Sequence, residues 1–219
     1  MGRPALALGG VALIGAGVAV ALGWWWPQTA EAHELVPGVQ SVRLDVSSGD
    51  VRVRAGDAGS TSVVERFRYS GSRPDHAYRL DSGQLVLADC GHDCSVDYEI
   101  VVPRGTSVTG NANSGDIELA GVSADVSNRS GQIDVRDATG PVKVHTNSGD
   151  ISVSLSSPQD VTAQASSGDV DLTVPDERYR IDARTSSGDR KIEIPADPTG
   201  LHLLDLQASS GDITVRHSY

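Results

Sequence analysis

The sequence predicts an all-β chain, a β-solenoid or β-helix-like stack of Ser-Gly-Asp repeats, preceded by one N-terminal transmembrane helix. Three observations predict it. A phrase ending in Ser-Gly-Asp or Ser-Gly-Gln recurs around Gly49, Gly83, Gly115, Gly131, Gly149, Gly168, Gly188 and Gly211. From Gly115 onward these glycines are spaced by 16, 18, 19, 20 and 23 residues, a period that signals stacked units too small to bury an apolar face alone. Residues 5–26 carry no charge.

The N-terminal elements come first. Residues 1–4 form a cytoplasmic stub. Residues 5–26 would span about 33 Å as a helix, enough for a bilayer core. Arg3 on one side and Trp24, Trp25 and Trp26 on the other orient it with the body outside the cytoplasm. This makes the expected location the cell membrane, single-pass, with an extracytoplasmic C-terminal part. Ala30-Glu31-Ala32 resembles a cleavage site, so secretion after signal-peptide removal is the alternative. Residues 27–38 are expected to be a linker.

Residues 39–103 form a less regular β part. Strands are expected at 62–69, 77–88 and 95–102, with hairpins in place of plain coils. From 104 to 219 the repeats are regular. Seven residues before each glycine stand Val42, Val108, Ala124, Val142, Val161, Ile181 and Leu204. Five before stand Leu44, Gly110, Val126, Val144, Ala163, Ala183 and Leu206. After the corner, pairs such as Ile117 and Leu119, Ile151 and Val153, or Ile213 and Val215 resume the alternation. This period of two marks strands with one buried face. The unit is strand, corner, strand and return, with Ser facing in, Gly turning, and Asp or Gln closing the bend through local backbone bonds. Arg190 and Lys191 lengthen the Gly188 unit and predict a bulge.

The net charge of −11 excludes a nucleic-acid binder, which needs a basic patch. Cys90 and Cys94 are the only cysteines. Outside the cytoplasm a disulfide between them is expected, contributing about 2 kcal/mol by the chain-entropy model. The alternatives are a zinc site using Cys90, His92 and Cys94, or two free thiols.

The column Asp50, Asp116, Asp150, Asp169, Asp189 and Asp212 suggests calcium at first. Gln84 and Gln132 stand in the same column, and the Gly-Gly-x-Gly-x-Asp pattern is absent. A structural turn is therefore expected, with no metal and no cofactor. Glu118, Asp134 and Asp171 occupy the outward position between the two apolar residues after their corners. They are either a solvated face or an acidic contact stripe for a cationic or polyhydroxylated envelope component. The six histidines share no motif, and Gly-x-Ser-x-Gly, P-loop and His-Glu-x-x-His patterns are absent. No catalytic residue is expected.

The repeated Ser-Gly-Asp-[Ile/Val]-x-[Val/Leu], preceded by Val-Pro-Arg-Gly-Thr at 102–106, resembles the DUF4097 family of bacterial, adhesin-like β-strand-repeat proteins over residues 39–217. The resemblance implies a cell-envelope protein of β-solenoid type and supplies no catalytic residues. The expected function is non-enzymatic adhesion or binding to an envelope protein or glycan. A sensory or accessory domain acting on a membrane partner is the alternative, and a polysaccharide-active enzyme ranks below both. Little chain follows Val215, so the last strand is expected to be an exposed edge. It would associate end to end or be covered by the loop holding Leu201 and Leu203.

Overall fold

A computed structural model describes residues 27–57 and 59–218. The expected anchor at 5–26 lies outside these residues. Among the described residues no helix is long and apolar enough to cross a membrane.

Among the described residues nineteen strands make the fold. The less regular part holds β1 (Gln28–Val36), β2 (Ser41–Val46), β3 (Val51–Gly56), β4 (Thr61–Tyr69), β5 (Tyr78–Asp81), β6 (Gln84–Leu87) and β7 (Cys94–Pro103). The repeats hold β8 (Ser107–Ser114), β9 (Ile117–Ala120), β10 (Ser123–Ser130), β11 (Ile133–Ala138), β12 (Val142–Ser148) and β13 (Ile151–Leu155). They continue through β14 (Val161–Ser167), β15 (Val170–Val174), β16 (Tyr179–Ser187), β17 (Arg190–Ile192), β18 (His202–Ser210) and β19 (Ile213–His217).

The strands form two sheets. One has ten strands in the order β1-β4-β7-β3-β9-β11-β13-β15-β19-β17, the other nine in the order β16-β18-β14-β12-β10-β8-β2-β6-β5. Each rung contributes one strand to each sheet and turns at its corner glycine, and neighbouring rungs are parallel. Antiparallel pairing is confined to β1–β4, β4–β7 and β5–β6. The alternation in the sequence explains the core between the sheets. Val108, Ile117, Leu119, Ile133, Val135, Leu204, Leu206, Ile213 and Val215 are all buried. Each such side chain contributes roughly 1.5–3 kcal/mol against ordering entropy.

Several expectations change. Residues 27–38 are not a linker, because β1 runs through them and pairs with β4 from Gln28↔Tyr69 to Val36↔Thr61. The corner serines do not face in. Ser114, Ser130, Ser148, Ser167, Ser187 and Ser210 are exposed, because the strand leaves the core as it reaches the corner and only the backbone is used there. Gly83 is not a solenoid corner; it turns the β5–β6 hairpin with φ +84°. The Gly188 unit has no bulge: Arg190, Lys191 and Ile192 pair in order with Ile213, Thr214 and Val215. The register shift lies instead between Val135 and Ala138, where Asp137 has φ +51°.

Rung order also departs from chain order. The last unit in sequence, β18–β19, lies between β14–β15 and β16–β17. The expected exposed edge at the C-terminal strand is therefore interior, and β16 and β17 form the open end. Leu201 is 86% exposed and does not cover that end.

Candidate binding faces

The corner column is built from its backbone upward. At Gly149 φ is +137°, and a Cβ there would lie 2.2 Å from the carbonyl oxygen of Gly131 on the neighbouring rung. Glycine is required both for the dihedral and for the approach. The Gly149 amide donates to the Ser167 carbonyl at 2.9 Å, and the same bond recurs from Gly131, Gly168 and Gly211 to the serine of the next rung.

The aspartates act between rungs rather than locally. Oδ1 of Asp50 accepts the amide of Asp116 at 3.1 Å, and Asp116 accepts that of Gln132 at 2.9 Å. Asp150 accepts from Asp169 at 2.9 Å, Asp169 from Asp212 at 2.8 Å, and Asp212 from Asp189 at 2.7 Å. The ladder begins at Asp97, which accepts the Asp50 amide at 3.0 Å. Asp97 follows no Ser-Gly and so lies outside the repeated phrase. Its signal is the alternation of Tyr98, Ile100 and Val102 after it. One step is missing in the series: no such bond joins Gln132 to the Asp150 amide. Inside the corner, Asn128 Nδ2 donates to Gly115 O at 2.8 Å and Thr185 Oγ1 to Gly211 O at 2.9 Å. These positions thus hold the stack together.

Cys90 and Cys94 form a disulfide with Cα atoms 5.7 Å apart, which leaves neither thiol to ligate zinc. It closes the corner between β6 and β7, a rung turn with neither Ser-Gly-Asp nor Ser-Gly-Gln. Asp89 in that corner accepts from both the amide and the hydroxyl of Ser47 at 2.6 Å.

Glu118, Asp134 and Asp171 do line the outer face of the ten-stranded sheet, on β9, β11 and β15, with Ser152 of β13 between the last two. Glu118 and Asp134 are compensated by cations, whereas Asp171 has no ion-pair partner among the described residues. Arg52 Nε lies 3.1 Å from Glu118, and Arg136 pairs with Asp134. The depression there, about 190 Å³, is lined by Arg52, Arg54 and Arg136 as well as Glu99, Glu118 and Asp134. Three arginines there face three carboxylates, so the depression carries both signs in equal number.

The outer face of the nine-stranded sheet differs. Its register places Arg43, Thr109, Asp125, Lys143 and Thr162 in one row. Asp45, Asn111, Ser127, His145 and Gln164 make the next. Two adjoining depressions of about 430 and 380 Å³ share Asn111, Ser127 and His145.

A third cluster was not visible in the sequence, because three separate elements supply it. Glu65 on β4 is 1% exposed. It accepts the Ala77 amide at 2.7 Å and faces His76 Nδ1 at 3.0 Å. His76 Nε2 lies 3.2 Å from Glu34 on β1, whose other oxygen accepts from the Tyr78 hydroxyl. The bond to Glu65 holds the His76 pKa above its ordinary value. The Tyr98 hydroxyl lies 2.6 and 2.7 Å from the carbonyl oxygens of Ala77 and Ala88 and shares its single proton between them, and burial pushes its phenol pKa up. This set clamps β1, β4 and the 70–77 loop together.

Comparison with known proteins agrees with this architecture. A "putative cell adhesion protein" from Clostridium sporogenes superimposes with a TM-score of 0.55 at 12% identity, covering 87% of this chain and 100% of that one. A "putative adhesin" from Bacteroides fragilis gives 0.45 at 14% identity, covering 87% and 97%. At such identities the first likeness shows the fold alone, and the second carries no argument. No curated protein matches the chain. The Toastrack DUF4097 family pattern matches residues 39–216, a span that runs from just before β2 into β19, so the chain belongs to the Toastrack DUF4097 family.

Proposed function

We propose that this protein is a non-enzymatic binding module of the cell envelope, held at the membrane by residues 5–26 and acting through the outer faces of its β-stack. The observation that carries the reading is the division of labour among the polar residues. The corner aspartates have side chains suited to metal or acid chemistry, yet they give their acceptor atoms to neighbouring rungs. Among the described residues the one fully buried carboxylate, Glu65, is tied to a backbone amide and to His76. What remains outward is a rigid, flat array of amides, hydroxyls and charges, repeated at the strand spacing of about 4.8 Å. Such an array suits an extended partner that makes many weak contacts. The likeness to a "putative cell adhesion protein" supports the same reading at the level of the fold.

The test is retention of the full-length protein on an envelope fraction from cells lacking it. Saturable retention by a glycan or envelope protein, without turnover of either, is the expected result. Release of a cleaved product from the envelope material would replace a binding function by an enzymatic one.

A second reading, a sensory domain, is favoured by one observation. The Glu34–His76–Glu65 clamp holds β1, the strand that directly follows the proposed anchor. Co-purification of a membrane regulator, dependent on His76, would support that reading over adhesion.

A further inference from the structure

We propose that the outer face of the nine-stranded sheet, across β2, β8, β10 and β12, is a binding trough for an anionic polysaccharide; the inference rests on the envelope-binding reading and names its ligand.

The trough contains more cation than anion in a chain of net charge −11. Arg43 and Lys143 lie in one row and Arg129 lines the adjoining depression, against the carboxylates of Asp45 and Asp125. Arg43 and Arg129 have no ion-pair partner among the described residues; on the other sheet Arg52, Arg66, Arg68 and Arg136 are paired, while Arg54, Arg190 and Arg216 are not. Lys143 stands 3.8 Å from Asp125, the longest of the lysine and arginine pairs. Arg43 and Arg129 thus stand without a counter-ion, and Lys143 has one only at that distance.

The rest of the lining suits hydroxyl groups. Ser127 donates to Asn111 at 2.5 Å, which orients both across neighbouring rungs and leaves the Asn111 amide nitrogen as a donor. His145 Nε2 is bonded to Asn147 Oδ1 at 3.0 Å. Its Nδ1 is enclosed and has no partner among the described residues. No aromatic or large apolar side chain lines either depression, so a peptide with apolar anchors finds no pocket there. Arg43 and Lys143 are three rungs apart, about 14 Å at the strand spacing. An extended polymer with regularly spaced acid groups can reach both cations and place its hydroxyls over the amide row between them.

The experiment uses the full-length protein in detergent micelles, titrated calorimetrically with polygalacturonate, dextran and poly-glutamate. Polygalacturonate should bind, and raising the salt should weaken it because exposed charges are screened. Removing the cations by Arg43→Gln, Arg129→Gln and Lys143→Gln should cost about threefold each, roughly 30-fold together if they act independently. Arg136→Gln on the other sheet should leave affinity unchanged. All four side chains are exposed, so thermal unfolding should be unaltered in each variant. Equal binding of dextran, equal binding of poly-glutamate, absence of binding to polygalacturonate, or full affinity in the triple variant would each overturn the proposal. Undiminished retention of the triple variant on envelope material would overturn this site alone. Failure of the wild-type protein to be retained would overturn the envelope-binding reading itself.

Discussion

The Asp150 carboxylate accepts the amide of Asp169, one rung away, at 2.9 Å. A charge-assisted bond of this kind contributes about 1 kcal/mol net at an exposed corner. Asp150→Ala should therefore lower the melting temperature by about 2–4 °C, the shift expected for ~1 kcal/mol in a chain of this size. The same logic predicts a gain at the step the ladder lacks. Gln132 receives the Asp116 carboxylate on its amide but offers no acceptor to Asp150. Gln132→Asp places a carboxylate where the Asp150 amide waits, and thermal denaturation should rise by a degree or more. Repulsion from Asp116 and Asp150 offsets part of that gain and should fade with added salt. A fall in melting temperature at high salt would show that the aspartate column is not stabilised in this way. The glycine column and its flanking alternation were legible in the sequence, because both are local. The cross-rung use of the aspartates was not. A carboxylate next to a glycine can bond its own turn or the neighbouring rung, and only the stacking distance decides between them.

At the scale of elements, the two ends of the stack are finished by different chemistry. At the β1 end the clamp of Glu34, Glu65, His76 and Tyr78 depends on the charge of His76, with Asp75 also facing it from its own loop. Its folded pKa lies above the ordinary 6.5. The stabilisation is therefore fully present below about pH 6.5 and is lost as pH rises through the raised value. The imidazole is partly exposed, so the effect is roughly 0.5–1 kcal/mol. Urea midpoints between pH 6 and 8.5 should fall for the wild type, and the corresponding decline should vanish in His76→Asn. An unchanged slope in that variant would assign the pH dependence to other groups. At the opposite end, Arg190 occupies the position held by Ile213 and Val170 on the preceding rungs. Its Nη1 reaches Ala183 O on the facing sheet at 3.0 Å, crossing the mouth of the core. An inward charge on an edge strand discourages strand addition. Arg190→Val should restore the apolar column, uncover the edge and produce concentration-dependent association by light scattering. A strictly monomeric variant would deny Arg190 this guarding role. The expected bulge rested on Arg190 and Lys191 being extra residues in the Gly188 unit, but Arg190 is not extra: it stands in the apolar column itself, opposite Ile213.

Over the whole molecule, the apolar columns define a stack but not the order of its rungs. Leu204 pairs with Val161 on one side and Ile181 on the other, and all three present branched apolar side chains at the same column. Any of these units could neighbour any other without disturbing the alternation, so the inserted position of β18–β19 was not legible in the sequence. Its consequence is mechanical. After β15 the chain passes over one rung's width to lay down β16 and β17, and β18–β19 then fill the gap. β16 pairs only with β18, and β17 only with β19. The penultimate unit in sequence thus depends entirely on the final one, which buries Leu204, Leu206, Ile213 and Val215 completely. Deleting residues 201–219 should do more than shorten the stack by one rung. Residues 175–200 should lose their sheet partners and become open to protease and to rapid amide exchange, while β8 to β13 remain protected. In a stack threaded in chain order, the same deletion would leave β16–β17 docked on β14–β15. Limited proteolysis with mass spectrometry separates the two, and a protected 175–200 segment in the truncated chain would refute the insertion.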